Sequence, residues 1–295
     1  MPLLLGVDLG GTTVKLGICD AAGRVRDSAS IPTMASRGAK PVVDDVAAAA
    51  KGLRGFDSVR ACGIGAPGPL DLKRTRVLVA PNLGWRDVPL PRLMSRALAR
   101  PVRLENDANC AAVAESVAGA GRGSSSLALF TLGTGVGGGI VLNGRLWAGA
   151  AGGAGEFGHM TFESDGRACA CGRRGCLEAY ASATAVARAA GTGNAREAFA
   201  SKSARARRAV RVAADALGAG IATVFNVLQP GRFVLAGGMA LAGGGFLAAV
   251  RRSASSRVFA PYRKDLDIVL ATLGNDAGWI GAALVANGNF GLNPG

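Results

Sequence analysis

From residue 3 the chain alternates short apolar runs with glycine. Residues 3–19 read LLLGVDLGGTTVKLGIC, which predicts a strand, a glycine turn and a second strand, with another turn at 20–23. Residues 42–53 are alanine-rich and amphipathic and predict a helix, 59–64 a short buried strand, and Ala66-Pro67-Gly68-Pro69 a rigid loop. A further helix is expected over 90–98. A strand over 102–104 then runs into Glu105-Asn106-Asp107, with helix from Ala108 to about Val117. This puts an aspartate at a strand-to-helix junction, the place where open α/β sheets bind ligands.

At Ser126 the pattern restarts. LALFTLGTGVGGGIVLNGRLW is again strand, glycine turn, strand and turn, which parallels the first residues and points to an internal duplication. Helices are expected over 183–190 and 205–228, the latter ending before Pro230, then a strand opening into glycines over 232–239. A helix over 245–255, a strand over 268–271 and a closing helix over 277–286 complete an α/β fold of two similar halves, divided between Asp107 and Ser126. The charge-free windows 123–144 and 233–250 are long enough to span a bilayer, but their glycine clusters break them into strand, turn and helix pieces.

Composition narrows this picture. With 49% apolar and 18% charged residues the chain can bury a large core, and six cysteines in 295 residues are too few for a disulfide scaffold. The N-terminus has no cationic stretch ahead of its apolar residues and meets an aspartate at position 8, so it does not predict a secretory signal; a soluble, cytoplasmic protein is expected. The net charge of +14 favours anionic partners, and 28 of the 34 basic residues are arginine. They are dispersed. The densest run, SARARRAVR at 203–211, has helical spacing and no interleaved aromatics, so it predicts a solvated helix face and no specific nucleic-acid partner.

Three features carry chemistry. In Asp8-Leu9-Gly10-Gly11-Thr12-Thr13, small residues let backbone N–H groups approach a polyanion, threonines add donors, and the aspartate can hold magnesium at phosphates. Such turns also occur in hairpins that bind nothing. The second turn, with Gly133, Thr134, Gly135 and Gly137, raises the weight of the phosphate reading, and Gly237-Gly238 offers flat backbone for a nucleobase or ribose. Asp107 is the candidate general base. A carboxylate in the first turn of a helix is commonly an N-cap, but Glu105, Asn106, Asp107 and Asn109 bring more polarity to the junction than a cap requires. Lastly, His159, the only histidine, precedes Cys169, Cys171 and Cys176, and Gly172 and Gly175 permit the turn that returns Cys176 to Cys171. Three thiolates and an imidazole complete a closed tetrahedral zinc shell, which predicts a structural metal. Glu156 and Glu178 flank the cluster. Together with the second ring nitrogen of His159 they suit a polyol, against a simpler reading as solvated charges. Because both glycine turns lie outside the cluster in sequence, zinc is expected to matter to a polyol bound beside the cluster and not to the phosphates.

In that order, DLGGT, LENDAN, GTGVGGG, the E-x-x-G-H pair and C-x-C-G-x-x-G-C-x-E resemble the ROK family of bacterial sugar kinases, from about Val7 to Ala283. The resemblance implies an actin-like ATPase fold of two ribonuclease-H-like domains, with ATP and sugar in the cleft between them and closure on sugar binding. It implies that Asp107 is the base and that Asn106, Glu156, His159 and Glu178 hold sugar hydroxyls. It likewise implies that 6–13 and 133–140 are the ATP phosphate loops and that His159, Cys169, Cys171 and Cys176 bind zinc. We expect a smaller domain at 1–110, rejoined by a C-terminal helix at 283–295, and a larger domain at 111–282 carrying the cluster. The family is oligomeric, which implies a homodimer or homotetramer.

Some members are repressors with a DNA-binding domain ahead of the kinase domain; with DLGGT so near the first residue and Asp107 intact, no such domain is expected here. Ala80-Pro81-Asn82-Leu83-Gly84-Trp85 is similar to a segment of the glucokinases, which favours glucose, phosphorylated at its 6-hydroxyl by ATP and Mg²⁺. Alternatives are mannose, fructose, N-acetylglucosamine or N-acetylmannosamine as acceptor, polyphosphate as donor, or a non-catalytic sugar sensor. Gly237-Gly238-Met239-Ala240-Leu241 departs from the family's three glycines and a serine, which puts the adenosine contacts across 237–245 in question.

Overall fold

The computed structural model describes residues 2–242 and 244–288. The chain forms two compact units, one of Met1–Gly123, Gly139–Ala154 and Thr272–Gly295, the other of Ser124–Gly138 and Gly155–Ala271. The first stretch carries β1 (Leu3–Leu9), β2 (Thr13–Cys19), β3 (Val25–Pro32), α1 (Ala39–Lys51), β4 (Val59–Ala66), β5 (Val77–Ala80), β6 (Trp85–Val88), α2 (Leu90–Leu98), β7 (Val102–Asn106) and α3 (Asp107–Val117). There follow β8 (Leu127–Leu132), β9 (Val136–Leu142), β10 (Arg145–Leu146), α4 (Glu178–Ala181), α5 (Ala183–Ala190), α6 (Ala195–Ala200), α7 (Ala204–Leu228), β11 (Arg232–Ala236), α8 (Gly244–Arg257), β12 (Ile268–Leu270) and α9 (Ala277–Ala286). The fold is the α/β architecture expected. Of the helix placed at 283–295, residues 289–295 lie outside the described residues, and α9 closes at Ala286.

The first sheet has the order β3-β2-β1-β4-β7, with β1, β4 and β7 parallel and the β1-β2-β3 meander antiparallel. The second has the order β10-β9-β8-β11-β12, and the division between the units falls within β9. Six elements, β3, β5, β6, the two-residue β10, the four-residue α4 and α6, are absent from the pattern read along the chain. β3 is an edge strand whose residues alternate between exposed and half-buried, so its VRDSASIP sequence reads as polar. The β5–β6 hairpin and α6 are each too short to declare a period.

A row of glycines sets how the first sheet meets its covering helix. Gly17, Gly6 and Gly63 are direct neighbours across β2, β1 and β4. A Cβ on Gly6 would lie 1.8 Å from the carbonyl oxygen of Trp279, and one on Gly63 would lie 1.7 Å from that of Ala282, so only glycine lets the α9 backbone rest on the strands. Trp279, 1% exposed, fills the space over Gly17 and donates its indole N–H to Asp276 at 2.9 Å. This seats the first turn of α9 beside the end of β1, where Asp8 stands.

Of the four points where the chain leaves or re-enters the first unit, the segments beside the first exit and the last return are fastened to one carboxylate. Glu115, fully buried in α3, accepts from the amides of Ala120 at 2.7 Å, Thr272 at 3.1 Å and Leu273 at 2.9 Å. In the second unit, α7 starts one residue earlier than its pattern predicts, because the Ser203 hydroxyl caps it by accepting from the Ala206 amide at 3.1 Å. Arg205, Arg207, Arg208 and Arg211 are exposed while Ala206 and Ala209 are buried, the solvated face expected of the basic run. By length and hydropathy α7 could cross a membrane, but 56% of its most apolar window is buried in the fold. The two charge-free windows form strand, turn, strand and strand, turn, helix.

Candidate functional site

In the first unit the turn between β1 and β2 presents Gly11, Thr12 and Thr13 to solvent. The Gly10 amide donates to the Thr13 carbonyl at 3.1 Å and closes the turn; the buried Thr33 braces it by donating its hydroxyl to Gly10 O at 2.7 Å. A Cβ on Gly11 would lie 3.2 Å from Asn82, so the Ala80–Trp85 segment packs against this turn. Asp8, half-buried at the end of β1, faces α9 closely enough that a Cβ on Gly278 would lie 2.4 Å from its carboxylate. Burial, and next the charge of Asp107, raise the Asp8 pKa from 3.8 to about 6 against the opposing pull of Lys15.

Asp107 is the first residue of α3, and the capping role falls to its neighbour. Asn106 Oδ1 accepts from the amides of Ala108 at 3.0 Å and Asn109 at 3.2 Å, while Asp107 Oδ1 accepts from Ala108 at 2.8 Å. Behind them Glu105, 3% exposed, accepts from the Asn106 amide at 2.8 Å and from the Asn109 side chain at 2.9 Å. Its other oxygen meets Arg74 Nε at 3.2 Å, and Arg74 also donates to Gly152 O at 3.0 Å. Arg74 thus ties the 71–76 loop and the 148–154 loop to the LENDAN junction. Nothing in its local sequence marks it.

In the second unit the Gly133 amide donates to Gly135 O at 3.0 Å to form the second glycine turn, with Gly133 and Thr134 exposed. Gly137 follows in β9, and Gly237, at φ 92°, lies under Leu132, whose carbonyl a Cβ would meet at 2.4 Å. A cavity of about 850 Å³, within the usual size for a small-molecule site, is lined by Gly133, Thr134 and Gly238. Asn194, which caps α6, and Arg196 and Phe199 within it complete its walls together with Met239, which stands where the resemblance expects glycine. The α6 residues escaped the reading of the sequence, although a signal was there. Asn194-Ala195-Arg196-Glu197 is a capping box, in which Asn194 Oδ1 accepts from the Glu197 amide at 3.0 Å and Asn194 Nδ2 donates to Glu197 Oε1 at 2.7 Å.

Side-chain ligand atoms of His159, Cys169, Cys171 and Cys176 lie within 4.8 Å of one another, as their spacing predicts. Gly172 and Gly175 take φ of 86° and 76°, and at Gly175 a Cβ would strike Glu163 O at 1.8 Å. Phe157 stacks on Phe130 with centroids 4.4 Å apart and presses on Gly138, which anchors the 3₁₀ turn Phe157–His159. The ring of His159 is oriented for a metal: buried Nδ1 has no hydrogen-bond partner, while Nε2 lies 3.9 Å from Glu156 Oε2. The donor set fits zinc, with Nδ1 as ligand. Burial pushes the Cys176 thiol up to about 12, and a bound dication would reverse that.

Glu178 corrects one expectation. The cluster does not stand apart from the second glycine turn: Glu178 Oε2 accepts from the Val136 amide at 2.9 Å, and its Oε1 lies 3.8 Å from Cys169 Sγ.

A sequence model of the ROK family matches residues 4–289. The chain is 37% identical to a glucokinase of Halalkalibacterium halodurans, covering 94% of this chain and 92% of that one. It superposes on a ROK hexokinase from Thermus thermophilus with a TM-score of 0.87, at 38% identity and 97% and 98% coverage. Against a ROK family glucokinase from Streptomyces griseus in complex with glucose and AMPPNP the TM-score is 0.82, with 35% identity and 97% and 100% coverage.

Proposed function

The chain belongs to the ROK family and is a sugar kinase, and on that premise we propose that it transfers the γ-phosphoryl group of ATP to the 6-hydroxyl of glucose with Asp107 as general base. The observation that carries this reading is the corner of the first unit where Asp107 and Asp8 sense each other's charge beside an exposed glycine–threonine turn. Phosphoryl transfer asks for positioning and charge stabilisation, with a carboxylate to orient the alcohol and take its proton. Asp107 receives the proton of O6 as the O6–Pγ bond forms and the bond from Pγ to the β,γ-bridging oxygen breaks, releasing ADP. Asn106, with Oδ1 engaged in the cap, offers its amide N–H to the sugar; Glu156, His159 and Glu178 take further hydroxyls. The turns at Gly10–Thr13 and Gly133–Gly137 cradle phosphates, and the cavity beside Thr134 and Phe199 takes the nucleoside.

Asp8 would hold magnesium, which supplies positive charge at the β- and γ-phosphates. Zinc at the closed four-ligand cluster is structural and leaves His159 Nε2 as a fixed donor beside Glu156. We further propose a soluble cytoplasmic homodimer or homotetramer that feeds glycolysis.

Asp8 gives this reading a pH signature. Below about pH 6 its carboxylate is protonated, so the Mg²⁺ concentration for half-maximal rate should rise about tenfold per pH unit there. Stability runs the other way: a pKa raised on folding costs stability as pH climbs from 3.8 to about 6. Asp8→Asn should therefore raise thermal stability at pH 7.5 while weakening Mg²⁺ activation, and a Mg²⁺ requirement flat from pH 5 to 8 in the wild type would remove Asp8 from the metal site.

A coupled assay of glucose, mannose, fructose, N-acetylglucosamine and N-acetylmannosamine, each with ATP and with polyphosphate, tests the reaction. Glucose with ATP should give the highest kcat/KM. A higher value for another sugar, or for polyphosphate, overturns that acceptor or donor.

A further inference from the structure

We propose that Glu178 is a positioning residue that braces the phosphate-binding glycine turn against the cysteine–histidine cluster, so that metal loading of the cluster sets nucleotide affinity as well as sugar affinity. The inference rests on the reading of Gly133–Gly137 as a phosphate turn.

Glu178 stands two residues after Cys176, and its two oxygens point to different neighbours. Oε2 accepts from the Val136 amide at 2.9 Å, and Oε1 lies 3.8 Å from Cys169 Sγ. The turn is shaped to receive it: a Cβ on Gly135 would sit 2.4 Å from Oε2, so any other residue there would expel the carboxylate. The same segment holds the turn at two more points. Past Glu178 the chain caps α5 with Ser182, whose hydroxyl accepts from the Ala185 amide at 3.1 Å. From the start of that helix the Ala183 amide donates to Gly133 O at 2.8 Å and the Thr184 hydroxyl donates to Thr134 O at 2.9 Å. Residues 178–184 therefore fix two carbonyls and one amide of the turn, those of Gly133, Thr134 and Val136, and the cluster fixes where that segment begins. Backbone N–H groups bind phosphate well only when their directions are set beforehand, so freedom at Cys176 becomes misdirection at Val136.

The test compares wild type, Glu178→Ala, Glu178→Gln and Cys176→Ser. The readouts are zinc content by elemental analysis, binding of Mg²⁺–AMPPNP without sugar, binding of glucose without nucleotide, and hydrogen exchange at 133–136. Glu178→Ala should keep about one zinc per chain, as Glu178 is not a ligand. It should weaken the nucleotide analogue by about 10- to 100-fold, with faster exchange at Val136. Glu178→Gln retains an acceptor oxygen and should stay within about threefold of wild type for the analogue. Cys176→Ser should lose zinc and lose analogue affinity by a similar factor. Wild-type analogue affinity in Glu178→Ala overturns the brace. If glucose binding alone falls, Glu178 is only a sugar ligand and the proposed function stands; if neither ligand is affected, its sugar role falls as well. Should Glu178→Ala fail to fold, Cys176→Ser decides: zinc-free protein that binds the analogue like wild type refutes the coupling.

Discussion

Asp107→Asn is expected to cut kcat by about 10² to 10⁴ and to leave the glucose dissociation constant within about tenfold. The substitution removes basicity and little else. The Asn106 side chain carries the cap of α3, and the bond from Ala108 N–H to Asp107 Oδ1 at 2.8 Å can pass to an asparagine oxygen. Helix α3 should therefore keep its register and the protein its stability, and the whole deficit should appear as transition-state loss in turnover. Coupled ADP release and calorimetric glucose titration on the same preparation separate the two quantities. Near-native turnover would remove Asp107 from the role of base. A matched loss of glucose binding would make it a sugar ligand first.

The second large effect is expected at Arg74, a residue with no place in the chemistry. Arg74→Ala should destabilise the first unit by about 3 to 5 kcal/mol, the usual cost of removing one partner from a buried ion pair. The side chains of Arg74 and Glu105 are 9% and 4% exposed, so water cannot replace the guanidinium. Glu105 would keep its bonds from the Asn106 amide and the Asn109 side chain but hold an uncompensated charge directly behind the Asn106–Asp107 junction. Arg74 also sits at φ 55°, a backbone conformation that a non-glycine residue keeps only when its contacts enforce it. Urea unfolding measures the loss, and a change below about 1 kcal/mol would mean that the pair is solvated in solution. Pairing Arg74→Met with Glu105→Leu should recover only part of the stability, since an apolar pair relieves the unpaired charge but leaves the Asn106 amide and the Asn109 side chain without their acceptor. Because Glu105 orients Asn106 and Asn109, that double variant should still turn over slowly, with kcat affected more than the KM for glucose.

Legibility along the chain followed the range of the interaction. The cysteine cluster could be read because its three thiols fall within eight positions and its two turn glycines need only a left-handed backbone. The solvated arginine face of α7 and both glycine turns were legible for the same reason, as each is decided within a few residues. Asp107 was legible as a polar excess at a junction. Which neighbour caps the helix was not, because asparagine and aspartate are both good caps and backbone direction chooses between them. The α6 wall of the cavity beside Thr134 carried a capping box but no functional mark.

By itself the sequence determined the α/β class and the types of most elements, and it nominated candidate groups for phosphate, metal and sugar, since periodicity and spacing report each residue's local surroundings. Only the tertiary structure decided partners. It joined Glu178 to an amide 42 positions away and Arg74 to a carboxylate 31 positions away, and it placed Gly139–Ala154 with the first unit although they follow the restart of the pattern. It also turned three unremarkable strand glycines into a row on which α9 can lie, which brings Gly278 against Asp8. The physical reason is one of range. A hydrogen bond, a buried charge or a raised carboxylate pKa depends on what packing brings within a few ångströms, and a hydrophobic pattern specifies that a face is buried without specifying what lies against it.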